Sequence, residues 1–166
     1  MSSLHDFALD WAHHRDETLR LLAALSDDAM HTKTDADGRT LGRIAWHMVQ
    51  TLPEMLGQAG ITGVTGPAHD APIPSKVADI VAAYAAASAA VVPAVQAAWD
   101  KADLRANIPM YGQQWPRRLV LSGLMYHEAH HRGQMTVLMR QAGLKVPGVF
   151  GPAREEWELY GMPTQA

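Results

Sequence analysis

Leu121–Arg140, LSGLMYHEAHHRGQMTVLMR, governs how this chain folds. No proline interrupts it, and its apolar residues recur at the three-and-four spacing of a helix. Three histidines lie inside it: His127, His130 and His131. Each helical residue advances by about 100°, so His127 and His131 fall roughly 40° apart on one face, one turn from each other. Two imidazoles in that relation can converge on a single ion. His130 lies about 60° to the other side of His127 and reaches the pair only from its edge. Gln134 is within about 20° of His127 on the same stripe, beside Val120, Leu124 and Leu138. Polar groups set into an apolar stripe need partners, because burying them without any is costly. The histidine pair alone is a weak signal, since nine histidines in 166 residues yield roughly half an i,i+4 pair by chance. A metal site needs a third ligand from another apolar helix.

Pro116 suits the first turn of this helix, and Gly143 followed by Pro147 suits its end, which predicts a helix over 116–142. The spacing predicts three more helices upstream. Leu4, Phe7, Ala8, Trp11, Thr18, Leu21, Leu22 and Leu25 trace one over 4–25, opened by a capping box of Ser3 and Asp6. Ile44, Met48, Leu52 and Met55 mark the buried side of a second over 40–57, N-capped by Thr40 and kinked or ended by Pro53. Val77, Ile80, Val81, Tyr84, Ser88, Val91, Val95 and Trp99 place a third over 76–99, capped by Ser75 and bent by Pro93. His47 stands at the edge of the second helix's apolar side, with Thr40, Arg43, Thr51 and Glu54 within about 40° of it. Alone, it is best explained as a core-edge histidine bonded to a carbonyl.

His13 and His14, among Arg15, Asp16 and Glu17, read as a solvated face, and His31 in its polar loop has no apparent role. The expected fold is all-α: a four-helix bundle with a long crossover connection between the second and third helices and a C-terminal tail packed on the bundle. The crossover is the Gly/Pro-rich stretch 59–74; His69 lies in it and is not expected to be a ligand. Residues 100–114 connect the last two helices, with IPMYG slightly extended. Residues 152–160 predict a short helix closed by Gly161, with Phe150, Trp157 and Tyr160 as anchors of the tail.

Length suits a single domain, 1–166, able to bury about 70% of its unfolded surface. A net charge of −3, with no basic cluster denser than Arg117-Arg118, argues against nucleic acid as a partner. The absence of cysteine excludes disulfides, thiolate metal sites and a thiol nucleophile on the chain itself. MSSLHDFALDW lacks the basic-then-apolar order of a signal peptide, and no run of eighteen apolar residues occurs, so no membrane association and a cytoplasmic location are expected.

One histidine midway along the second helix and H-x-x-x-H on the fourth resemble the DinB-like (YfiT-like) superfamily of metal-binding four-helix bundles. The carrying residues are RTLGRIAWH, Arg39 to His47, and HEAHHRGQM, His127 to Met135; the tail GLKVPGVFGPAREEW, Gly143 to Trp157, is also similar. The resemblance spans nearly the whole chain and implies a metal triad of His47, His127 and His131. His130 stays outside it. Gln134 belongs to the motif and is physically suited to hydrogen-bond a ligand imidazole, fixing its tautomer. Arg132 is expected to point away from the metal face, at the surface or in a dimer contact.

Three neutral imidazoles suit zinc, nickel or ferrous iron, and leave at least one coordination position open, as in catalytic sites. A cation there lowers the pKa of bound water or thiol. The resemblance implies a homodimer acting on a small-molecule substrate, as an S-transferase using an external low-molecular-weight thiol such as bacillithiol or mycothiol, or as a hydrolase. A non-catalytic, stress-associated metal-binding bundle is the alternative from another class. It stands because no clear general base is visible: Glu128 is about 100° off the His127 direction and Glu54 lies beyond Pro53.

Overall fold

Local capping chemistry opens the first and second long helices and closes the fourth at the positions the sequence marks. The computed structural model describes residues 3–164. Its long helices are α1 (Leu4–Ala23), α2 (Leu41–Gln58), α3 (Val77–Trp99) and α4 (Arg117–Gln141). At α1, Ser3 Oγ accepts from the Asp6 amide at 3.1 Å while the Asp6 carboxylate accepts from the Ser3 amide at 3.2 Å. At α2, Thr40 Oγ1 accepts from the Arg43 amide at 3.1 Å. Helix α4 ends in a Schellman turn: Gly143 takes φ +72°, and the Leu144 amide donates to the Met139 carbonyl at 2.9 Å.

The start of α3 departs from expectation. Ser75 is not its cap; Lys76 holds the N-cap position and makes no side-chain cap bond. Asp27, from the connection after α1, accepts instead from the Val77 amide at 2.8 Å and from Lys76 Nζ at 3.0 Å. A carboxylate brought from fifty residues away satisfies the exposed amide, and such a partner leaves no local signature.

Helices α1 and α2 each pack against both α3 and α4, so α1 and α2 lie across the bundle from one another. The core between them is filled by Phe7, Trp11, Leu22, Met48, Leu52, Ile80, Tyr84, Val91, Leu121 and Leu124, all buried. By length and composition α3 could cross a membrane, with a mean hydropathy of 1.7 in its most apolar window. Here its Ile80–Tyr84–Val91–Val95 row is buried against the other helices. The residues 100–116 carry an antiparallel hairpin, β1 (Asn107–Met110) paired with β2 (Gln113–Pro116), in which Ile108 faces Trp115. Tyr111 and Gly112 turn it with φ values of 49° and 76°, the type I′ geometry that matches strand twist. This small sheet lies where the sequence shows only a slight extension.

Pro53 does not end α2, which runs on to Gln58. The crossover is laid along this part of α2. Gly66 sits so close that an added Cβ would meet Pro53 Cγ at 2.9 Å, and Gln50 Nε2 donates to the His69 carbonyl at 3.0 Å. The tail forms a 3-10 helix, Arg154–Tyr160, closed by Gly161 at φ +67°. Its anchors differ in part from those expected: Val146 and Ala153 are buried and Trp157 is half-buried, whereas Phe150 and Tyr160 are 56% and 66% exposed. Small and branched residues tuck into the bundle, and Phe150 lies over the outer rim of α1 against His13 and His14.

Candidate metal centre

The packing of α2 on α4 carries His47 to the His127/His131 pair. One ligand atom from each of the three imidazoles falls within 4.8 Å of the others. Ring centroids are 4.4 Å apart for His127–His131, 4.8 Å for His47–His131 and 5.2 Å for His47–His127, with interplanar angles of 81°, 89° and 67°. Near-perpendicular rings aim nitrogens at a common point without stacking faces. The Nε2 atoms of His127 and His131 face each other at 3.1 Å.

Gln134 settles the orientation of one ring. Its Oε1 lies 2.7 Å from His131 Nδ1, so that nitrogen carries the proton and the Nε2 lone pair points into the cluster. Thr51 backs the other side, donating to the His47 carbonyl at 2.9 Å with its oxygen 3.5 Å from His47 Nε2. His127 Nδ1 is buried with no hydrogen-bond partner among the described residues.

Electrostatics favour the neutral, ligating form of every ring. Burial pushes His47 down to about 4, aided by His131, His127, Arg39 and Arg43. Burial likewise brings His127 to about 4, helped by the charges of His131, His130 and Arg39. His131 is lowered too, by burial first, against the raising effect of its bond to Gln134. Three neutral imidazoles with converging lone pairs and few other partners fit a divalent ion by donor type and arrangement.

His130 is exposed at the edge of the cluster, its ring 5.0 Å from that of His131, and is not among the converging groups. His69 is also outside them. It does line, together with His47, Gln50, Thr51, Pro53, Glu54 and the crossover residues Gly66–Ala68, a cleft of about 470 Å³. That cleft gives a small molecule access to the His47 side. At its rim the Tyr111 hydroxyl, on the hairpin turn, donates to Glu54 at 2.9 Å.

Three expectations fail on the opposite side of α4. Arg132 is not a surface residue: it is 2% exposed and donates to Thr18 Oγ1 at 2.8 Å and to His14 Nδ1 at 3.0 Å. His14, read as solvated, is half-buried, and burial with the nearby Arg132 charge holds it down at about 4. Glu17 is buried as well, beside Arg20. Glu128, set aside as a base, is 1% exposed and turned into the core, where Tyr84 and Thr18 hydroxyls bond its carboxylate. Burial raises it to about 7 against the opposing pull of Tyr84, Arg132 and Thr18. The available signal was the second i,i+4 pair, Glu128 and Arg132, each one residue after a histidine of the first pair.

Comparison with known proteins identifies the family and the fold. A family model described as the DinB family matches residues 1–165. The uncharacterized protein YrdA of Bacillus subtilis is 41% identical over 160 residues, 96% of this chain and 95% of its own length. A crystal structure of a DinB-like protein from Bacillus cereus superposes with a TM-score of 0.83 at 37% identity, covering 90% of this chain and 99% of that one. The DinB-like protein YjoA of Bacillus subtilis matches in fold alone, with a TM-score of 0.65 at 18% identity over 87% of this chain and 96% of its own.

Proposed function

The chain belongs to the DinB family, and we propose that it binds one divalent metal ion through His47, His127 and His131 and uses it as a metal-dependent enzyme. The observation that carries this reading is the approach of three neutral imidazoles to within 4.8 Å, one of which, His47, lines an accessible cleft. Zinc or nickel is the preferred ion, with ferrous iron next, on the all-imidazole donor set. When bound, the ion would supply Lewis acidity and a water or thiol made nucleophilic near neutral pH.

The preferred reaction, on the family resemblance, is S-transfer from a low-molecular-weight thiol to a small electrophilic substrate; with no cysteine on the chain that thiol would be external, and the same absence fits a hydrolase equally well. Hydrolysis is the close alternative. The chain's own residues would act by position. Gln134 holds the proton of His131 at Nδ1, Thr51 backs His47, and Pro53, Pro67 and Ala68 line the cleft with apolar surface. A non-catalytic role for the ion, tying α2 to α4, keeps one observation in its favour: Glu128, adjacent to a ligand in sequence, faces the core rather than the cleft. A cytoplasmic location is part of the proposal.

Metal content of four purified variants tests the site. His127→Ala and His131→Ala should lose the ion, whereas His130→Ala and His69→Ala should keep it; retention by His131→Ala with loss from His130→Ala would overturn the assignment. Incubating metal-loaded protein with a thiol panel and electrophilic acceptors then separates the readings: thiol consumption supports transfer, acceptor hydrolysis without it supports the hydrolase, and neither supports the structural ion.

A further inference from the structure

Helix α4 carries two i,i+4 pairs one residue out of step: His127 and His131 toward α2, and Glu128 and Arg132 into the core, 1% and 2% exposed. The second pair is held from the two helices that supply no histidine to the cluster. From α3, the Tyr84 hydroxyl donates to the Glu128 carboxylate, 2.8 Å from both oxygens. From α1, Thr18 Oγ1 lies 3.0 Å from Glu128 Oε2 and accepts from Arg132 at 2.8 Å. Arg132 also donates to the His14 carbonyl at 3.3 Å, to His14 Nδ1 at 3.0 Å, and stands 3.6 Å from Glu128. Its outer face is covered by the Phe150 ring at 5.4 Å.

A buried ion pair is a poor source of stability, because removing two charges from water offsets most of their attraction, and apolar residues of similar volume often do as well. Directional bonds contribute something apolar packing does not. Apolar contacts tolerate a small rotation or slide of a helix, whereas these bonds fail once α4 turns or shifts. Metal ligands need placement to about 0.5 Å and 10–20°.

We propose that the Glu128–Arg132 pair, with Tyr84 and Thr18, is a register lock that fixes the rotation and axial position of α4 and so aims His127 and His131 at His47. These four are positioning residues. The proposal rests on the metal-site reading above and extends it to the far side of the helix.

The test uses the full-length protein bearing Glu128→Leu together with Arg132→Met, with Tyr84→Phe and Glu128→Gln as milder variants. Three quantities are measured: the urea midpoint of metal-free protein, zinc affinity by competition with a chromophoric chelator, and the histidine side-chain 1H–15N spectrum of metal-free protein. The double variant is expected to unfold at an equal or higher urea concentration, yet bind zinc about tenfold or more weakly and show displaced His127 and His131 resonances with His69 unmoved. Glu128→Gln, which still accepts from Tyr84 and Thr18, should recover most of the affinity that the double variant loses. A folded double variant with wild-type affinity and unchanged histidine resonances overturns the lock. Should the double variant not fold, wild-type affinity and unmoved resonances in Tyr84→Phe overturn it instead. Failure of the wild-type protein to bind zinc refutes the metal reading, and the metal-free spectra then still decide the lock.

Discussion

His131 uses both ring nitrogens: Nδ1 meets Gln134 at 2.7 Å while Nε2 faces His127 at 3.1 Å. Gln134→Leu removes the acceptor that selects this tautomer, and divalent-metal affinity should fall about 10–100-fold. Because Gln134 is exposed, the urea midpoint of metal-free protein should hardly move. Calorimetric titration checks the first outcome, and an unchanged affinity would remove Gln134 from the site. His14 offers a different test. It is held at about 4 in the folded protein, by burial and then by Arg132, against an ordinary 6.5. Between those values the unfolded chain binds the extra proton, so this group's contribution to stability declines as pH drops from 6.5 toward about 4. His14→Gln, which can still accept from Arg132, should flatten that decline in metal-free protein; urea midpoints at neutral and acid pH measure it, and parallel curves for variant and wild type would rule it out. The metal-ligating candidates were legible from spacing and resemblance, whereas His14, Glu17 and Arg132 were not. Their polar sequence neighbours indicate a solvated face, but α1 is flanked by α3 and α4 and roofed by Phe150.

Helix boundaries were legible wherever the cap lies within a few residues of the end it closes. Ser3 with Asp6, Thr40 and Gly143 are such cases. Helix α3 is the contrast, because its first amide is satisfied from the α1–α2 connection by Asp27. Asp27→Ala should therefore lower the denaturation midpoint and fray the start of α3, while Ser75→Ala leaves both unchanged. Amide hydrogen exchange at Val77 distinguishes the two; loss of protection in Ser75→Ala with retention in Asp27→Ala would return the cap to Ser75. The hairpin after α3 was legible only as extension, since β pairing joins Asn107 to Pro116 and depends on Tyr111 entering the left-handed region. Of the two outcomes expected at Pro53, a kink or an end, the end does not occur. The crossover lies on that turn of α2 through Gly66 and Gln50, and the helix continues past it.

Across the assembled bundle, α1 and α4 leave Leu9 and Tyr126 62% and 67% exposed, next to Phe150 at 56%. These residues line one recess with His13, His14, Ser122 and Met125. We propose that this face pairs two copies of the chain, and sedimentation at micromolar concentration should give twice the chain mass. Tyr126→Glu with Leu9→Lys should halve that mass without altering metal content; a monomeric wild-type protein would end the proposal. The all-α class, four long helices, the opening caps of α1 and α2, the closing turn of α4, and the placing of His47 on one helix and His127 with His131 on another all follow from residue order. Periodicity and capping are properties of a single helix, and about 100° per residue already orients every side chain about its own axis. Which helix meets which does not follow from that order. The placing of α1 opposite α2, the core bonds of Glu128 and Arg132, and the seating of the crossover over His47 arose from contacts far apart in sequence. Such contacts depend on the relative rotation of two packed helices, a quantity that neither helix encodes alone.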